Sequence, residues 1–216
     1  MNYLLIGAGG IGYPLAMTIA NFYMERGDTL AIADGDYVER GNLRRQFFNL
    51  ADVGRNKADR LVHRLSQAHQ NLNFYSISRF VTLEIFREVK PDLIFLAVDN
   101  KATIASFLAD PILPIPIIFT GCGMRGKTPI ANARLLSTPE AKRSLLADLG
   151  AINDSIPATR EYSPICERVN NGIPEQTTAG NVLAVVLAID CLEAYLANDF
   201  NYRVEMALEG KNGYSL

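Results

Sequence analysis

Along residues 3–120, short blocks of apolar residues alternate with longer stretches of helical period. Tyr3-Leu4-Leu5-Ile6 has no charged position and stops at Gly7, the pattern of a strand covered on both faces. Ile11–Met24 follows with helical spacing, and Pro14 falls in the first turn, where a missing N–H costs little. Leu30–Ala33 is a second apolar block, ending at Asp34. Lys57–Gln70 sets Leu61, Leu65 and Ala68 at helical spacing behind Asn56 as N-cap. Phe74–Ile77, Leu93–Val98 and Ile115–Thr120 read as further strands, with helices over Thr82–Val89 and Ala102–Ala109. This alternation predicts an α/β fold, a Rossmann-like, doubly wound, mostly parallel sheet with helices on both faces.

Beyond Gly121 the rhythm changes. Ile130–Leu136 reads as a strand, Pro139–Leu149 as a helix, Thr178–Ala197 as a long helix and Tyr202–Leu208 as a last strand. Residues 150–176 carry prolines and polar residues with no clear period, long for a loop in a compact domain and therefore functional or mobile. The tail 210–216 reads as loose.

With 216 residues and 49% hydrophobic content, the chain can bury one core, and a single domain over 1–216 is expected. A net charge of −2 gives no general pull toward nucleic acid, which is not expected as a partner. The 3 cysteines, Cys122, Cys166 and Cys191, form no Cys-x-x-Cys pair. That argues against a disulfide framework and a four-thiolate zinc site and suits a reducing compartment. The most apolar stretch, Ala179–Ala197, is broken by Asn181, Asp190 and Glu193, so a core helix is expected and not a membrane span. No charged region with a long apolar core opens the chain, so a soluble cytoplasmic protein is expected.

Candidate chemistry begins with Gly7-Ala8-Gly9-Gly10-Ile11-Gly12, which leaves a strand and opens a helix. Glycines allow a tight turn and close approach to phosphate, and a helix N-terminus presents oriented N–H groups. A glycine-rich turn without ligand is the plain alternative, and the motif does not say which nucleotide. Asp34, at the end of the second strand, is placed to accept from ribose hydroxyls, as it would in an NAD-dependent dehydrogenase. A lone aspartate there is otherwise a turn former. The next segment, Asp34-Gly35-Asp36-Tyr37-Val38-Glu39-Arg40-Gly41-Asn42-Leu43-Arg44-Arg45-Gln46, then Val53-Gly54-Arg55-Asn56-Lys57, is rich in cations. A dehydrogenase does not cleave its cofactor's pyrophosphate and needs no such cluster. An adenylating enzyme must neutralise three phosphates and a departing pyrophosphate, work suited to Arg and Lys. A solvated basic loop is the bland alternative. His63 and His69 share one predicted helix at a spacing that does not converge on a metal.

The glycine motif, the Asp34–Val38 segment, Asn42–Gln46, Val53–Lys57 and Ala97-Val98-Asp99-Asn100 stand in the order found in the ThiF/MoeB/HesA family. That family includes the adenylation domains of ubiquitin activators, and the resemblance covers about residues 3–125. It implies a nucleotide-binding half, 1–125, and a modifier-binding half, 126–216. Gly7, Gly9, Gly10 and Gly12 would cradle phosphates and Asp34 the ribose, with Asp36 and Asn100 completing the binding set. Asn42, Arg45 and Lys57 would hold the triphosphate, Gln46 would support that loop, and Asp99 would hold Mg²⁺ with the ATP phosphates. The implied reaction is attack of a carboxylate on the α-phosphorus of ATP, giving an acyl-adenylate and pyrophosphate. Arg45, Lys57 and Asp99 would carry it by positioning and charge stabilisation.

Cys166, ahead of Pro174-Glu175-Gln176-Thr177-Thr178-Ala179-Gly180, resembles the nucleophile of compact activators that pass the acyl group to a thiol; an inert loop cysteine is the alternative. Cys122 and Cys191 read as structural, and Gly121–Lys127 resembles a glycine-containing turn. The zinc pairs of many relatives are missing, so the chain resembles a compact, non-zinc member and no zinc is expected. The N-terminal arm through which some relatives donate an arginine across a dimer is not expected here, so either Arg44, Arg125 or another internal cation would compensate, or activity would depend on a partner chain. The implied partners are a ubiquitin-like or sulfur-carrier-like protein, held on the sheet face beyond residue 120, and a second copy of the chain. Relatives of this kind also adenylate small peptides or a modified tRNA nucleoside, and a nucleotide-binding partner without turnover is a further alternative. A dehydrogenase does not explain Arg45, Lys57 and Asp99 together.

Overall fold

A computed structural model describes residues 1–82, 84–109, 115–125, 128–153, 178–199 and 203–207. Its strands are β1 (Asn2–Ile6), β2 (Thr29–Ala33), β3 (Asn73–Ile77), β4 (Leu93–Leu96), β5 (Ile117–Arg125), β6 (Thr128–Leu136) and β7 (Arg203–Ala207). Its helices are α1 (Gly12–Phe22), α2 (Lys57–Ala68), α3 (Glu84–Val89), α4 (Lys101–Ala109), α5 (Pro139–Asn153) and α6 (Thr178–Leu196), with 3₁₀ turns at Arg40–Arg44 and Leu50–Asp52. The strands form one 7-stranded sheet in the order β3-β2-β1-β4-β5-β6-β7. β3, β2, β1, β4 and β5 run parallel, and β6 and β7 antiparallel, so the sheet is mostly parallel, as the alternation of blocks predicts.

Alternate residues of each apolar block feed opposite faces. Tyr3, Leu5, Leu30, Ile32, Phe95 and Ile118 pack under α1, α2 and α6. Leu4, Ile6, Ala31, Ala33, Ile94 and Leu96 pack under α3, α4 and α5. The strand order reverses about β1, with β2 and β3 added on one side of it and β4 and β5 on the other. That switch point opens a crevice beyond the carboxyl ends of the strands.

Three boundaries correct the sequence reading. β5 does not end at Thr120; Gly121–Arg125 continues it, paired residue by residue with β6 from Gly121↔Asn132 to Arg125↔Thr128. The turn expected there is a strand, because a short connection brings the two strands back antiparallel and the ladder outweighs the low strand preference of glycine. α5 continues past Gly150 to Asn153, so the start of the 150–176 segment is helical; 154–176, including Cys166, lies outside the described residues. In α2, Leu61 and Leu65 are buried as expected, whereas Ala68 is exposed on the last helical residue. Asn56 caps that helix, its side chain accepting from Asp59 N at 3.1 Å.

Among the described residues, α6 alone has the length and apolar composition to cross a membrane. It serves as a core helix here, burying Ala184, Leu187, Ala188, Cys191 and Leu192 against the sheet.

Candidate functional site

The crevice holds a cavity of about 600 Å³ at the ends of β1, β2 and β4 and beside Gly121 and Cys122 in the middle of β5. Its floor is the glycine loop. Gly7 stands at φ +97°, a left-handed conformation that disfavours any side chain. A Cβ there would also lie 2.6 Å from the carbonyl oxygen of Ala97. Gly7, Gly9 and Gly10 line the cavity. Gly12 does not; it opens α1 behind the loop, so close under the Gly7 carbonyl that no Cβ fits.

Asp34 binds the loop to the strand beside it. One carboxylate oxygen accepts from Ala8 N at 2.7 Å and the other from Asp36 N at 2.8 Å. Burial pushes this carboxyl above the ordinary range, against the opposing pull of Lys57 and the two amides. Lys57, buried at the start of α2, points its Nζ at Asp36 Oδ2, 2.9 Å away. Asn56 ties the same turn down, donating through Nδ2 to the carbonyls of Asp34 (2.8 Å) and Asp36 (3.1 Å). The cavity therefore places an ammonium ion beside a carboxylate held by fixed amides.

Asp99 and Asn100 line the opposite wall, in the turn between β4 and α4. Asp99 is exposed, and Asn100 Oδ1 accepts from Thr103 N at 3.2 Å in the first turn of α4. Gln46 reaches the cavity beside Gly9 with its Oε1 buried and without a hydrogen-bond partner. A buried acceptor left unmatched at a cavity wall suits a donor brought by a ligand or by water. Among the described residues, no group of three or more His, Cys, Asp or Glu could hold a metal.

The cation-rich segment between β2 and α2 is pinned from below. Asp52 is fully buried and accepts from Asn49 N, Arg60 and Arg64. Burial opposes its ionisation, but these donors prevail and hold the carboxyl below its usual range. Arg64 also donates to Tyr13 Oη at 2.6 Å and to the Phe47 carbonyl at 3.0 Å. Tyr13 stacks on Phe47 and meets Phe48 edge-on, fixing the segment against α1.

Asp34, Asp36, Gln46, Lys57, Asp99 and Asn100 are thus gathered around one cavity with the glycine loop. Asn42 and Arg45 do not line it. Asn42 is buried as the partner of Glu39 in a reciprocal cap on the Arg40–Arg44 turn, accepting from Glu39 N at 3.0 Å. Arg45 is half-buried, and its carbonyl accepts from Asn181 Nδ2 at 3.1 Å. Cys122 corrects an expectation: it is no sealed structural thiol but a half-buried one on the cavity wall, pushed up to about 11 by burial and by Asp99. Cys191 is fully buried, as expected. His63 is exposed, and His69 packs near the Phe74 ring. Sequence reasoning missed Phe80, Val81 and Thr103 on the cavity wall and Asn181 beneath it. Phe80 and Val81 follow β3, where a local apolar pair after a strand was the sole signal.

The ThiF family model matches residues 1–194. The sulfur carrier protein ThiS adenylyltransferase of Escherichia coli K12 is 32% identical over 103 residues, which is 46% of this chain and 40% of that protein. This chain thus spans less than half the length of that relative. Among solved structures, Escherichia coli MccB with AMPCPP and MccA superposes with a TM-score of 0.66 at 18% identity, covering 99% of this chain and 64% of that one. Escherichia coli tRNA N6-threonylcarbamoyladenosine dehydratase, TcdA, with AMP gives 0.63 at 17% identity, covering 91% and 86%. At such identities the two structures share the fold. With the family model spanning both halves of the sheet, the chain belongs to the ThiF family.

Proposed function

We propose that this protein is an ATP-dependent adenylyltransferase acting on a carboxylate, in the first place the C-terminal carboxylate of a ubiquitin-like or sulfur-carrier-like protein. The observation that carries this reading is a cavity in which Asp34, Lys57 and Asp99 surround the glycine loop. Asp34 suits a ribose, the loop and Lys57 suit phosphates, and the exposed Asp99 suits a cation bound with them. The similarity to a ThiS adenylyltransferase supports the choice of acceptor.

In this reading the glycine-loop amides orient the α-phosphate, and Lys57 leaves Asp36 to meet the charge that builds on departing pyrophosphate. Gln46 Oε1 accepts from a donor on the bound substrates. Mg²⁺ fits the site, because this ion is commonly held by one or two carboxylates together with phosphate oxygens, and Asp99 offers such a carboxylate. When bound, it would neutralise charge on those oxygens. An ionised carboxylate is already nucleophilic, so no general base is required. The reading includes pairing of two chains, and transfer of the acyl group to Cys166 as a thioester.

A second acceptor class, a short peptide, is favoured by the superposition over 99% of this chain on MccB with MccA. ATP–pyrophosphate exchange with purified protein tests the reading, comparing candidate carrier proteins and peptides. Exchange that requires an acceptor and is lost in Asp99→Ala supports it, and the acceptor that elicits exchange selects the class. No exchange with any acceptor, despite ATP binding, sinks it. A reducible adduct lost in Cys166→Ala would separately establish the thioester step.

A further inference from the structure

Asn181 is fully buried, and it is the one buried polar side chain of α6. A primary amide in an apolar core is unfavourable unless its donors and acceptor are matched. Here the matching groups come from distant parts of the chain. Nδ2 donates to the Arg45 carbonyl at 3.1 Å, and Oδ1 accepts from Cys122 Sγ at 3.1 Å. The Arg45 carbonyl can only accept, so it fixes which end of the amide faces it, and the thiol donor agrees. The amide also lies directly against Gly10: a Cβ on Gly10 would fall 2.2 Å from Asn181 Nδ2. Gly10 is therefore small for a reason besides phosphate, namely to let α6 reach the loop.

We propose that Asn181 is a positioning residue for the phosphate end of the cavity, locking the glycine loop, the Arg45–Gln46 segment and β5 to the helix of the second half. This rests on the nucleotide reading of the cavity. The groups that Asn181 meets at the cavity are Gly10, the Arg45 carbonyl beside Gln46, and the Cys122 thiol. The Asp34 carboxylate is held by Ala8 N and Asp36 N, and neither is a hydrogen-bond partner of the Asn181 amide, which bonds Arg45 and Cys122. Removing the amide thus loosens the segment that carries Gln46 and leaves the ribose-side carboxylate in place. Cys122 supplies the donor that matches Asn181 Oδ1, so its S–H matters as well as its volume.

The test is calorimetric binding of ATP and of adenosine to the full chain, wild type against Asn181→Ala, Cys122→Ala and Cys122→Ser, with thermal denaturation to confirm folding. Cys122→Ser keeps a donor that Cys122→Ala lacks at nearly equal size, and this pair carries the test if Asn181→Ala does not fold. We expect Asn181→Ala to weaken ATP about tenfold, the loss of one or two hydrogen bonds, while adenosine changes by less than about twofold. Cys122→Ala should fall between, and Cys122→Ser should return toward wild type. Equal weakening of ATP and adenosine, or Ser behaving as Ala, overturns the proposal. So does unchanged ATP affinity in Asn181→Ala, with the nucleotide reading left standing. A wild-type protein that binds neither ligand overturns both.

Discussion

Replacing Gly7 with alanine isolates the geometry on which the site depends. Two separate penalties apply. Its φ of +97° is left-handed, a conformation that disfavours a Cβ by about 1–2 kcal/mol. The new methyl would stand 2.6 Å from the Ala97 carbonyl oxygen and 3.0 Å from Val98 Cγ1, an overpacking that costs about 1–3 kcal/mol. Together these give about 2–5 kcal/mol, less than a typical domain's stability of about 5–15 kcal/mol, so the variant should fold. At this chain length the melting temperature should drop by about 4–20 °C. Gly27→Ala is the internal control, because Gly27 has a φ of +98° and nothing within 4 Å of its Cβ position. It should lose the backbone term alone, about 1–2 kcal/mol. The clash also pushes the Ala97–Asp99 turn off the glycine loop, so Gly7→Ala should weaken ATP binding at least about tenfold, and Gly27→Ala should not. Thermal denaturation and calorimetric titration of both variants decide the matter. If Gly7→Ala melts no lower than Gly27→Ala, the close packing of the loop on the β4–α4 turn is refuted.

Other outcomes follow from the same geometry. Asp52 is held below its ordinary value, so it stabilises the fold above the usual carboxylate range, and that contribution fades as pH falls through the lowered value. Asp52→Asn should lose about 3–5 kcal/mol near neutral pH and flatten the acid limb of urea-unfolding stability; an unchanged acid limb would contradict this. Asp34 has the opposite sign: its raised value means stability declines as pH rises from the ordinary carboxylate value through the raised one, and Asp34→Asn should remove that decline in the same measurement. Lys57→Ala should reduce pyrophosphate exchange by about 100-fold or more, since it removes a charge that acts on the departing group. Exchange within a few-fold of wild type would take Lys57 out of the reaction. Cys122, with its thiol pushed up to about 11, should alkylate slowly at neutral pH and more slowly still with ATP present, as followed by intact-protein mass spectrometry. Labelling indifferent to ATP would place the nucleotide elsewhere.

Much of the fold was legible because β1, β2 and β4 are covered on both faces, which requires unbroken apolar blocks that a sequence displays directly. The glycine loop, Asp34, Lys57 and Asp99 were legible for a related reason: each sits at the end of such a block or at the start of the helix after it. What escaped is non-local. The Gly121–Arg125 half of β5 has little strand preference of its own and is made a strand by β6. Gly150 did not stop α5, because a glycine weakens a helix without ending it. Asn181 looked like an interruption in an apolar helix. Its partners Arg45 and Cys122 lie 136 and 59 residues away, so no spacing rule could pair them. Asn42 belonged to a motif and was expected at phosphate, yet its side chain is used in capping a 3₁₀ turn.

If this cavity directs attack on the α-phosphorus of ATP, the products of cleavage reveal it. Protein incubated with α-labelled ATP, a carrier protein or peptide that elicits exchange, and hydroxylamine to trap the activated acyl group should yield AMP, pyrophosphate and an acyl hydroxamate in equal amounts. Formation of ADP and phosphate in their place would put the attack at the γ-phosphorus and rule out adenylation.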